Sequence, residues 1–211
     1  MVQTLHLSGT EAELFEALCQ RAPGARAALD ATKHIRGEIR PYQRALLYLL
    51  TQAYDRRGAV FLELGTFLGN TAAIMAEAAP QAAILTLNVK AHEVKQARLN
   101  LKPWPQAHAL EFASRFFLEA AEGTQYDVIF VDGDHKNIRY DLPWIDHLRP
   151  GGLMLFHDYS PKDARVACVP VYDALNEFAE MLGRPLDVAV ADTDKLGMAG
   201  IYKREGDTWK R

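Results

Sequence analysis

The chain has 211 residues, 49% of them hydrophobic, enough for one domain with a core of ordinary size. Its 24 Lys and Arg stand against 27 Asp and Glu, and the net charge of −3 lacks the basic excess of a general nucleic-acid binder, so the expected partner is a small molecule. No apolar run reaches the roughly 18–20 residues of a membrane span, residues 1–15 lack a secretory signal, and Cys19 and Cys168 make neither a disulfide framework nor a zinc pattern, so a cytoplasmic protein with no membrane partner is expected.

Residues 9–29 are rich in Ala and Leu at helical spacing, with Leu14 and Leu18 on one face and Pro23-Gly24 as an interruption. A strongly apolar helix is predicted over 42–54, entered through Pro41 and built on Leu46, Leu47, Leu49 and Leu50. Together they read as an N-terminal helical cap over residues 1–57, leading into a main domain at 58–211. Their apolar faces would suit a homodimer interface.

From residue 59 strands and helices alternate. AVFLELG (59–65) is a short apolar strand ending in glycine, and NTAAIMAEAA is a helix stopped at Pro80. AAILTLNV (82–89) is a second buried strand, followed by a polar helix over 92–101 and the turn KPWP. AHALEFA reads as a third strand and SRFFLEAA as a short helix; YDVIFVDG (126–133) is the clearest strand in the chain. A helix is predicted near 142–148, ending at Arg149-Pro150-Gly151-Gly152. After it come the strand GLMLFHD, the helix VPVYDALNEFAEML, and two closing strands, LDVAVAD and GMAGIYK. The aromatic residues Trp104, Phe116, Phe117 and Trp144 are expected in the core or in helix packing rather than around a substrate.

Repeated βα units with fully apolar strands imply an α/β fold, doubly wound, with a mostly parallel sheet and helices on both faces. The short link through Thr193-Asp194-Lys195 makes the last two strands an antiparallel hairpin at one edge. Such sheets bind ligands beyond the carboxyl ends of their strands, so the residues just after each strand are the candidates.

The first strand runs into Glu63-Leu64-Gly65-Thr66-Phe67-Leu68-Gly69-Asn70-Thr71. Gly65 permits a tight turn, and Gly69 lets a ligand approach the helix N-terminus. Phe67 stands where a dinucleotide site would need a middle glycine, which argues against a nicotinamide-dependent dehydrogenase. Glu63 suits the cationic end of a ligand.

FLELGTFLGNTA, followed by VDGDH and RPGGLMLFHDY, resembles the class I S-adenosylmethionine-dependent methyltransferases. The later motifs are similar to the branch with small-molecule and sugar O-methyltransferases, several of them metal-dependent. The resemblance covers roughly residues 35–203 and implies a Rossmann-like fold and S-adenosylmethionine as cofactor. It implies cofactor contacts from Glu63, Gly65, Thr66, Gly69, Asn70, Asn88, Ala113, Ser114 and Asp132. Asn88 departs from the family, which places a carboxylate there for the ribose hydroxyls; an amide lacks the charge-assisted strength of that contact. Residues 34–39, with Gly37, align with a segment that closes over cofactor or substrate. Tyr159, Lys162, Asp163 and Arg165 follow the last motif and are candidates to contact an acceptor, or a solvated loop.

Asp132 and Asp158 end two strands and are candidates to share a divalent cation, with His157, Asp134 or water completing the shell. Oxygen ligands suit Mg²⁺, and an imidazole shifts the preference toward Mn²⁺. Such an ion would orient a substrate hydroxyl and lower its pKa. His135, three residues after Asp132, matches the family's histidine base, which would take the hydroxyl proton. Where the family follows the next strand with two acidic ligands, this chain has His157-Asp158. Asp134 suits a helix cap as well as a ligand. The expected activity is methyl transfer to a hydroxyl of a small-molecule acceptor. The alternatives are a metal-independent N- or O-methyltransferase and a non-catalytic domain of the same fold.

Overall fold

A computed structural model describes residues 4–160, 168–192 and 196–209. Lys162, Asp163, Arg165 and the link Thr193-Asp194-Lys195 lie outside the described residues. In chain order the elements are β1 (Leu5–Gly9), α1 (Glu11–Arg21), α2 (Ala25–Thr32), α3 (Pro41–Thr51), β2 (Val60–Leu64), α4 (Asn70–Ala78), β3 (Ala83–Asn88) and α5 (Ala91–Asn100). There follow β4 (Ala107–Glu111), α6 (Ser114–Ala120), β5 (Tyr126–Val131), β6 (Leu148–Tyr159), α7 (Val169–Met181), β7 (Val188–Asp192) and β8 (Gly197–Tyr202). They fall into two compact units, Glu11–Ser114 and Met1–Thr10 with Arg115–Arg211.

In the Glu11–Ser114 unit, α1 and α2 pack on α3, and α2 and α3 pack on α4. Leu14, Leu18, Tyr42, Leu46 and Leu47 are buried in these contacts. The apolar helices that suggested a dimer face are therefore covered within the chain itself. Pro41 opens α3, and Gln43 closes its first turn by accepting from the Arg40 backbone N–H at 2.8 Å. Strands β2, β3 and β4 are parallel neighbours in that order, with Val60 opposite Ala83 and Ile84 opposite Ala107. α4 is buried on nearly every side, which its run of small Ala residues permits.

In the other unit the order is β1-β7-β8-β6-β5. β5 and β6 are parallel, while β8 runs antiparallel to both β6 and β7, the hairpin expected from the sequence. β1 lies outside that hairpin, parallel to β7, and extends the sheet by a strand that the sequence pattern did not announce. The predicted helix near 142–148 is a 3-10 segment, Leu142–His147, and Leu148 already pairs with Tyr126. Pro143 and the brevity of the segment favour this tighter form. Trp144 and Trp104 are buried as expected, whereas Phe116 is 56% exposed, with the Arg115 guanidinium 4.7 Å above its ring. Among the described residues no helix is long and apolar enough to cross a membrane.

Candidate functional site

The loop after β2 is a turn built on left-handed backbone. Gly65, Phe67 and Gly69 have φ of 115°, 44° and 88°. A phenylalanine in this region is uncommon and marks a locally strained turn. The backbone holds it there: the N–H groups of Gly65 and Thr66 both donate to the Leu87 carbonyl, at 2.9 and 3.1 Å, and that of Gly69 to Thr66 at 2.8 Å. Gly69 is the N-cap of α4 and brings no side-chain cap, so the first turn of that helix faces the loop with backbone donors.

Glu63 is fully buried beneath this loop. Its carboxylate accepts from the hydroxyls of Thr71 on α4 and Thr86 on β3, and Thr86 in turn lies 2.6 Å from the Thr66 hydroxyl. The sequence suggested a carboxylate suited to the cationic end of a ligand; in the structure it also braces the turn through two threonines that carried no motif signal. Asn70, also buried, donates its amide to the carbonyls of Thr32 and Ile35 at 3.2 and 2.9 Å. It thereby pins residues 34–39 against the start of α4. Gly37 is needed there for space, since a Cβ would sit 2.9 Å from the Asn70 side chain. Arg36 places its guanidinium 5.7 Å from the Phe67 ring centroid.

At the end of β3, Asn88 accepts from the Lys90 N–H at 3.2 Å and donates to Glu93 at 2.7 Å. Lys90 donates to the other Glu93 oxygen at 2.9 Å. A carboxylate thus stands beside the strand end after all, supplied from α5. Burial pushes the Glu93 carboxyl up, and the hydrogen bonds from Lys90 and Asn88 outweigh it, so the net shift is downward and the group is ionised. Val89 and Phe112 are exposed at the ends of β3 and β4. Ala113 and Ser114 follow β4 after Phe112, Ser114 opening α6.

The second group of candidates gathers at the carboxyl end of β5 and in the last turn of β6. Asp132 follows β5, and His157 and Asp158 lie in β6. Consecutive strand residues normally face opposite sides of a sheet. Here the pairing of β6 with β8 shifts register between His157 and Tyr159, and Asp158 takes φ of 59°. This bulge turns Asp158 back, so that both side chains reach the same place. His157 Nδ1 lies 2.9 Å from Asp132 Oδ1 and 3.1 Å from Asp158 Oδ1. His135 joins them, with Nε2 3.4 Å from Asp132 Oδ1 and Nδ1 3.1 Å from Asp158 Oδ2. All four predicted residues meet.

The charges in this cluster sustain one another. Asp132 beside it raises the His135 pKa; burial opposes this and Asp158 adds to it. Burial alone would raise the Asp132 carboxyl, but the neighbouring His157 and His135 outweigh it and lower it. Asp134 stays outside the cluster: it is exposed and accepts from the Lys136 N–H at 3.1 Å and the Asn137 amide at 2.8 Å, closing a turn. Tyr159 stacks on Tyr172 of α7, with ring centroids 5.8 Å apart.

Residues 62–159 match the methyltransferase domain family. The match runs from β2 to the end of β6 and includes every candidate described above except residues 34–39. The resemblance of that segment is to the class I S-adenosylmethionine-dependent methyltransferases. Among solved structures it is similar to cofactor-bound Rv0187 from MTB, at 23% identity and a TM-score of 0.67, over 89% of this chain and 91% of that one. It is also similar to the O-methyltransferase from Bacillus cereus in complex with SAH, at 18% identity and a TM-score of 0.61, over 86% of this chain and 91% of that one. A third is the O-methyltransferase TomG from Streptomyces achromogenes, involved in tomaymycin synthesis and solved with SAM, at 19% identity and a TM-score of 0.59, over 89% of each chain. At these identities the likeness is one of fold: a Rossmann-like α/β domain. No curated protein matches the chain in sequence.

Proposed function

We propose that the protein binds S-adenosylmethionine and transfers its methyl group to a hydroxyl of a small molecule. The observation that supports this best is the 65–69 turn, strained at Phe67, braced from below by Glu63 and opening onto the bare N-terminus of α4. The turn lies inside the segment that matches the methyltransferase domain. The structural neighbours solved with cofactor or its product support the same reading.

In this reading Gly65, Thr66, Gly69 and Asn70 form the cradle for the methionine part. Glu63 acts through the threonines as a positioning residue. Glu93, held by Asn88 and Lys90, takes over the ribose hydroxyls that the family gives to a carboxylate at the strand end. Ala113 and Ser114 complete the cofactor contacts within the Glu11–Ser114 unit. The methyl group is already activated as a sulfonium, so alignment supplies most of the rate. What the acceptor needs is loss of its proton, and Asp132, His135, His157 and Asp158 supply that side of the chemistry. A bound divalent ion would lower the pKa of the acceptor hydroxyl. The cluster is a poor match for Mg²⁺, which prefers oxygen donors and keeps several waters, because two imidazoles stand in it. Mn²⁺ and its first-row neighbours accept such a mixed set.

Calorimetric titration with S-adenosylmethionine tests the reading. Micromolar binding is expected, and absence of binding at millimolar cofactor would overturn it.

A further inference from the structure

Residues 34–39 are anchored on both sides of Arg36. Ile35 and Ile39 are buried, while Arg36, Gly37 and Glu38 between them are exposed. The Asn70 amide ties the Ile35 carbonyl to the start of α4, and Gly37 lies against the same side chain. Arg36 is thereby kept beside the 65–69 turn, with its guanidinium over the Phe67 ring. That ring, held in left-handed backbone, is the platform on which the cation rests.

Two polar groups at this junction are unmatched. Among the described residues the one ion partner of Arg36 is Glu38, 3.9 Å away, and the two side chains are 75% and 76% exposed. Such a pair contributes little. Other cations of the same unit are committed, Arg40 to Glu11 at 3.1 Å and Lys90 to Glu93 at 2.9 Å. Asn70 is 4% exposed and spends its amide hydrogens on the Thr32 and Ile35 carbonyls, yet its Oδ1 accepts from no described residue. A buried acceptor left without a donor is destabilising and calls for a partner.

A cation short of an anion and an acceptor short of a donor thus stand on two residues joined through Gly37. An amino-acid end, with a carboxylate and an ammonium on one carbon, supplies both. The carboxylate is also the single anion of S-adenosylmethionine, and the bare N-terminus of α4 favours that charge. We propose that this junction holds the amino-acid end of the cofactor: the Arg36 guanidinium pairs with the carboxylate, and Asn70 Oδ1 accepts from the ammonium. The proposal rests on the methyltransferase reading and makes Arg36 a residue that selects the cofactor.

Three ligands with a neutral thioether isolate these contacts: S-adenosylhomocysteine, its decarboxylated analogue and its deaminated analogue. Each is titrated calorimetrically into the full chain. The unaltered protein should bind either analogue at least about 10-fold more weakly than S-adenosylhomocysteine. Arg36→Gln should weaken S-adenosylhomocysteine about 10-fold and leave the decarboxylated analogue unchanged, and Arg36→Lys should recover part of the loss. An equal loss for both ligands would show that Arg36 merely supports the turn and would overturn its role, as would no loss for either. A deaminated analogue bound as tightly as S-adenosylhomocysteine would overturn the role of Asn70, and that comparison uses the unaltered protein, whatever becomes of a variant. Failure of all three to bind the unaltered protein is a distinct result, which would overturn the cofactor reading and the proposal with it.

Discussion

Gly37 packs so closely on Asn70 that a Cβ at residue 37 would stand 2.9 Å from the Asn70 Cβ, Cγ and Oδ1 atoms. The contact couples residues 34–39 to the first residue of α4, beside the glycine turn. Gly37→Ala should therefore cost about 1–3 kcal/mol, read as a fall in Tm of about 2–12 °C. The same substitution should cost less in an Asn70→Gly background, because all three of those atoms are then gone. Equal losses in both backgrounds would show that the contact is not the cause.

Glu93 offers a carboxylate at the strand end where Asn88 offers only an amide. Glu93→Gln keeps the shape and removes the charge, so the Kd for S-adenosylmethionine should rise about 10-fold. Calorimetry would show this directly; an unchanged Kd would remove Glu93 from the cofactor site.

Arg184 is a structural residue, buried at the base of β7 and β8. It donates to Asp187 at 2.6 Å, to the Tyr202 carbonyl at 2.6 Å and to Asp207 at 2.5 Å. Arg184→Met strips a partner from the buried Asp187 and the partly buried Asp207 and should cost about 3–5 kcal/mol in urea unfolding. Replacing Arg184, Asp187 and Asp207 together with apolar residues should cost much less, since Arg204, which then loses Asp187, is largely exposed.

The metal-free cluster should also make stability depend on pH. His135 is raised above its ordinary value of about 6.5, so its contribution is complete below that pH and is lost as pH rises through the folded pKa. Asp132 is lowered below its ordinary value of about 3.9, so its contribution is complete above that pH and is lost as pH falls through the folded pKa. In EDTA the two contributions overlap fully between about pH 4 and 6.5. Thermal melts from pH 5 to 9 should show a decline on the alkaline side that His135→Gln flattens. A decline of the same size in the variant would assign it to another group.

The apolar runs of β2, β3, β5 and β6 were legible in the sequence because buried parallel strands need no alternation, and glycine marks the turns after β2 and β5. The glycine loop and the motifs after β5 and β6 followed from the same pattern. β1 was not legible: Leu5–Gly9 alternates weakly, and its partner β7 lies some 180 residues away, as the approach of His6 to the Leu186 carbonyl shows. The 3-10 form of Leu142–His147 was hidden too, since six residues hold too little periodicity to separate it from an α-helix.

By itself the sequence determined the order of strands and helices, the residue types at each strand end and the family resemblance, because periodicity and turn chemistry act over a few neighbouring residues. Tertiary structure alone decided which of those side chains meet. Glu63 was closed off by threonines 8 and 23 residues away, and Glu93 came beside Asn88 from the next helix. Asp158 joined His157 on one side of the sheet through a bulge set by pairing with β8. A strand's period of two would have sent it to the other face, and only the register of a distant partner could bring it back.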